Sequence, residues 1–124
     1  MTVQDLFAKI EAYRRRQAAF NILAALIDAY DVQQEPANYN VLMDALIEQR
    51  GGHKSNYSEA VKELEADGLV ERLIKIDGVY EEAAKYRKGP RYYKEGIGLL
   101  NQEVVLTPSP RVLAAFGREP KVFA

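Results

Sequence analysis

The chain has 124 residues, 48% apolar and 28% charged, with no cysteine and a formal net charge of −1. That composition fits one ordinary globular domain and excludes disulfide scaffolds, thiolate metal sites and histone-like basic coats. A near-zero total still permits nucleic acid as a partner, because affinity follows the field of a local patch. The N-terminal "MTVQDLFAKIEAYRRRQ" spreads its charges and lacks the apolar core of a secretory leader. The longest apolar stretch, "ILAALI" (Ile22 to Ile27), is far too short for a membrane span. These features predict a cytoplasmic protein without a membrane partner.

In chain order, Leu6, Ile10, Tyr13, Phe20, Ala24 and Ile27 recur at helical spacing. With no Pro or Gly before Pro36, the pattern predicts one helix from Asp5 to Tyr30, about 26 residues and roughly 40 Å long. Its first part, residues 1–19, is expected to project from the domain and pair two protomers through Leu6, Ile10, Tyr13 and Phe20. A second helix is expected from Tyr39 to about Gln49, capped by Asn38, with Val41, Leu42, Ala45 and Leu46 inward. "RGGHK" (Arg50 to Lys54) ends it, Gly51 being suited to a left-handed C-terminal cap.

A third helix starts at Ser55 or Asn56, with Asn56 and Glu59 spaced as a capping box, and stops at Asp67-Gly68. Tyr57, Ala60, Val61 and Leu64 share its inner side, while Ser55, Ser58, Glu59 and Lys62 share the outer one. Beyond Gly68, "LVERLIKI" reads as a strand, Asp77-Gly78 as a turn and "EVVL" as another strand. Residues 79–102 are open between a short helix and a continuing strand, with "GPRYYKEGIG" as an exposed loop. "TPSPRVLAAFG" is a last short helix, capped by Thr107 or Ser109, with proline in its first turn and Gly117 beyond its end.

Three helices followed by a β-hairpin is the winged helix-turn-helix layout, so the fold class is mainly α with a small β-hairpin wing. "KSNYSEAVKELEADGLVER" resembles the recognition helix and first wing strand of bacterial winged-helix regulators of the MarR type. "VVLTPSPRVLAAF" is similar to their second wing strand and the helix after it, and "GPRYY" to wings of the related PadR type. The resemblance runs from Phe20 to Phe116. It implies a homodimeric regulator or repressor that reads double-stranded DNA with its third helix.

Two patches are the candidate DNA-binding residues. Lys54, Ser55, Asn56, Ser58 and Lys62 lie at the start and on the front of the third helix, where hydroxyls and amides reach base edges and helix N–H groups approach phosphate. "KYRKGPRYYK" carries Lys85, Arg87, Lys88, Arg91 and Lys94 with no acid between them. Five phosphate contacts there would give a salt slope of about −4 to −5. Glu59 and Glu63 oppose this reading and favour the rival one, an adaptor or inhibitor that binds a protein partner. A non-transcriptional DNA-handling role, in replication or in a plasmid or phage, is the other alternative. His53 is the sole histidine, and "GIG" (Gly96 to Gly98) lacks the strand and helix that flank a phosphate loop. No residue set points to catalysis, a metal or another cofactor.

Overall fold

The computed structural model describes residues 1–83 and 102–124. Among them are five helices and one four-stranded antiparallel sheet: α1 (Val3–Glu11), α2 (Arg16–Gln33), β1 (Ala37–Asn38), α3 (Tyr39–Arg50), α4 (Lys54–Ala66), β2 (Val70–Ile76), β3 (Val79–Glu82), β4 (Gln102–Pro108) and α5 (Pro110–Ala115). No helix of the described residues is long and apolar enough to cross a membrane.

The expected single N-terminal helix is two. α1 starts in a complete capping box, where Thr2 accepts from the Asp5 N–H and Asp5 accepts from the Thr2 N–H. It ends at Glu11, and residues 12–15 turn the chain before α2 begins. The physical cause is burial. A straight rod would carry Leu6 and Ile10 out into solvent, whereas the turn folds α1 back so that both are wholly buried. Burying two such side chains is worth about 1.5–3 kcal/mol each, enough to outweigh the few helical hydrogen bonds lost at the bend. Tyr13 secures the corner by donating its hydroxyl to the Asp67 carboxylate at the far end of α4. Residues 1–19 therefore belong to the domain and do not project from it.

α2 supplies the spine of the core with Ala19, Ile22, Leu23, Leu26, Ile27 and Tyr30, and ends at Gln34 in a left-handed conformation. α3 is capped by Asn38, whose side-chain oxygen accepts from the Val41 N–H at 3.0 Å. Leu42 and Leu46 point inward as expected, but Val41 is 67% exposed and Met43 is buried instead. Once Asn38 fixes the first turn, Val41 falls on the outer side. α4 packs Tyr57, Ala60, Val61 and Leu64 against α2, while its C-terminal end leads through Gly68 into the sheet.

The sheet order is β1-β4-β2-β3. β2 and β4 pair over seven residues, from Val70 with Pro108 to Ile76 with Gln102. β2 and β3 form a hairpin closed by Asp77 and Gly78, both at positive φ, as a two-residue turn matching strand twist requires. Of the two readings left open after residue 79, the continuing strand is the one found as far as Glu82. Val70 and Leu106 join the main core, whereas Leu73 and Val105, paired with each other, face the opposite side and are buried too. On that opposite side Phe123 of the C-terminal tail meets Tyr80 edge-on, 5.5 Å between centroids.

Candidate nucleic-acid interface

α4 begins one residue earlier than the sequence pattern suggested. Lys54 is its first residue and His53 the N-cap, with no side chain capping the first turn; Asn56 and Glu59 form no capping box. The leading N–H groups of α4 therefore have no cap at an end where Arg50, His53 and Lys54 are exposed. Partial positive charge from the helix dipole and the Lys54 ammonium lie at this end. Ser55 is also exposed there, and Asn56 half-buried beside it.

The back of α4 is fixed by contacts with α3. The Tyr39 hydroxyl donates to Ser58 Oγ at 3.0 Å, the Tyr57 hydroxyl donates to the Gly51 carbonyl at 2.8 Å, and Lys54 Nζ reaches Asn40 Oδ1 at 3.5 Å. Arg72 of β2 joins the same brace. It donates to Glu65 of α4 at 2.7 Å and lies 5.0 Å over the Tyr39 ring. Helix, helix and strand are thus tied at one corner, and a ligand at the α4 tip would meet a preset surface.

The five sequence-predicted residues of this helix divide by environment. Lys54, Ser55 and Lys62 are exposed, and Asn56 is half-buried at the tip. Ser58 is half-buried and engaged by Tyr39, so its first role is to hold α4 on α3. Lys62 pairs with Glu59 at 3.3 Å, both largely exposed, a contact of little energetic weight that phosphate can displace. The predicted residues Lys85, Arg87, Lys88, Arg91 and Lys94 lie outside the described residues.

Asn40 was not singled out from the sequence. It is exposed in the first turn of α3, touches Lys54, and extends the polar surface across the two helix starts. The signal available was Asn38, since a cap there puts Asn40 in the first turn. The residues expected to pair protomers divide as well. Leu6 and Ile10 are wholly buried in their own core, and Tyr13 is held by Asp67. Phe20, half-buried, stacks edge-on with the more exposed Phe7 at 5.4 Å. A projecting seam of Leu6, Ile10 and Tyr13 is therefore replaced by a closed corner.

Tyr13 and Glu71 are among the ionisable groups with displaced pKa values. Burial, then hydrogen bonding to Asp67, pushes the Tyr13 hydroxyl up and keeps it protonated as a donor. Burial, then the nearby Glu82 carboxylate, raises Glu71 on the outer sheet face. Among the described residues no group of three or more His, Cys, Asp or Glu could hold a metal ion. Compared with known families, curated proteins and solved structures, the chain matches none.

Proposed function

We propose that the chain is a winged helix-turn-helix protein that binds double-stranded DNA and regulates transcription, with α4 in the major groove. The observation that carries this reading is the exposed tip of α4, capped by no side chain, where Lys54 reaches Asn40 and Ser55 and Asn56 follow on a braced support. The element order is compatible with it: helices α2, α3 and α4 precede the β2-β3 hairpin and β4, in a small antiparallel sheet that could serve as a wing.

In this reading Lys54 and the first N–H groups of α4 hold a phosphate, and Ser55 and Asn56 face base edges. Lys62 exchanges Glu59 for a phosphate further along the helix. Those two lysines contribute about −2 to the slope of log K against log salt, and the basic run Lys85 to Lys94 adds to it through whichever of its cations meet phosphate.

Fluorescence anisotropy with random-sequence and selected duplexes at two salt concentrations tests the proposal. Binding should weaken steeply with salt, and Ser55→Glu should weaken it at every salt concentration. Lys88→Ala with Arg91→Ala should reduce the slope. Absence of duplex binding at low salt would reject DNA regulation in favour of a protein-binding module with the acidic Glu59 and Glu63 at its face. Tighter binding to single strands than to duplex would favour a DNA-handling role instead.

A further inference from the structure

We propose that the groove between α2 and α3 is a docking site for a basic amphipathic helix of a protein partner. The inference goes beyond DNA binding and stands or falls without it, since none of the α4 tip residues lines the groove. The exposed ridge of α2, at Ala24 and Asp28, parts two open grooves. One lies beside α1 and α5 and is lined by Phe7, Phe20 and Phe116. The other, of about 380 Å³, has Ala25, Asp28 and Ala29 on its α2 wall and Val41, Leu42 and Ala45 on its α3 wall.

Apolar surface is left open on both walls. Val41 is 67% exposed on α3, and on α2 Val32, three residues beyond Ala29 and four beyond Asp28, is 81% exposed. Two of the three most exposed large apolar side chains among the described residues thus stand at this groove. Alanine at three of the wall positions keeps the walls low, so a further helix can settle against both at the ordinary interaxial distance of about 8–10 Å.

The rim decides the chemistry of the occupant. Asp28 lines the groove, and Asp44 and Glu48, both exposed, follow Val41 by three and seven residues and so edge the α3 wall. Glu103 of β4 stands at the end of the groove, where Asn38 donates to it at 3.2 Å. No lysine or arginine is among the described residues that line it. Arg118, whose field reaches Asp28, is held by Asp31 in a two-pronged pair at 3.0 and 2.6 Å. Four carboxylates around an apolar floor select an occupant with apolar side chains on one face and lysines or arginines flanking them, which is a basic amphipathic helix. The same field opposes a nucleic-acid backbone, and a second copy seated here would bring acid against acid.

Fluorescence anisotropy of the full chain tests this with a labelled helical peptide of leucine and lysine only, leucines on one face, at about 0.15 M salt. The peptide should bind with micromolar affinity, and its counterpart with glutamate at every lysine should not. Val41→Ser should weaken binding about threefold or more by removing apolar contact, and Asp44→Lys with Glu48→Lys about tenfold or more by reversing the rim. Glu11→Lys with Glu59→Lys, at exposed sites away from the groove, makes the same change of net charge and should leave binding within about twofold. Circular dichroism checks that each variant is folded, and amide NMR should place the peptide-induced shifts at 25–33 and 38–49. No binding, equal binding of the glutamate peptide, or an equal loss in the Glu11 and Glu59 variant overturns the proposal. So do shifts of those amides with chain concentration alone, which would assign the groove to a second copy.

Discussion

Glu71 shows how a single side chain can be placed against its own preference. It sits on β2 opposite Thr107, half-buried, with Glu82 close by, and both burial and that like charge favour its protonated form. A carboxyl whose folded pKa is raised stabilises the fold below its ordinary pKa, and that contribution is lost as pH rises through the raised value. Glu71→Gln should therefore raise the melting temperature at pH 7, and the difference should shrink as the pH falls toward the ordinary carboxylate range. A pH series of thermal melts checks this; a variant less stable than wild type at pH 7 contradicts it. Leu64, wholly buried where α4 meets the core, is the contrasting case. Leu64→Ala should cost about 2–5 kcal/mol in urea unfolding, through the removed methyl groups and the space they leave.

Among elements, the starts of α3 and α4 are the informative pair. α3 has a side-chain cap from Asn38, so Asn38→Ala should destabilise the protein by about 1 kcal/mol in the same unfolding assay. α4 has no such cap, and a change at its tip should alter binding much more than folding. This asymmetry was half legible in the sequence. Asn38, the inner ladder Tyr57, Ala60, Val61 and Leu64, and the strands after Gly68 follow from local chemistry and hydrophobic period, and all are found. The bend at residues 12–15 was not legible, because no Pro or Gly marks it and the reason for it is tertiary: Leu6 and Ile10 reach the core only if α1 turns back. Val41 was misread because a partly apolar helix start gives little phase information until its cap is fixed. The tip residues Lys54, Ser55 and Asn56 were legible as a polar cluster, whereas the brace through Tyr39, Arg72 and Glu65 depends on how α3, α4 and β2 pack against one another.

For the molecule as a whole, the α4 tip is separated in sequence and chemistry from the α2 ridge and its Phe7, Phe20 and Phe116 groove. One surface is small and polar, with Lys54 exposed at it; the other is a groove lined by Phe7, Phe20 and Phe116. The proposed DNA contact uses the first of these. The most direct measurement is amide-resolved NMR of the chain titrated with duplex DNA at low salt. The account predicts that the shifted and broadened amides centre on 53–58 and Asn40, leaving the α2 ridge near Ala24 undisturbed at fixed protein concentration. Shifts that cluster on α1, α2 and α5, or none at all at the α4 tip, would contradict it.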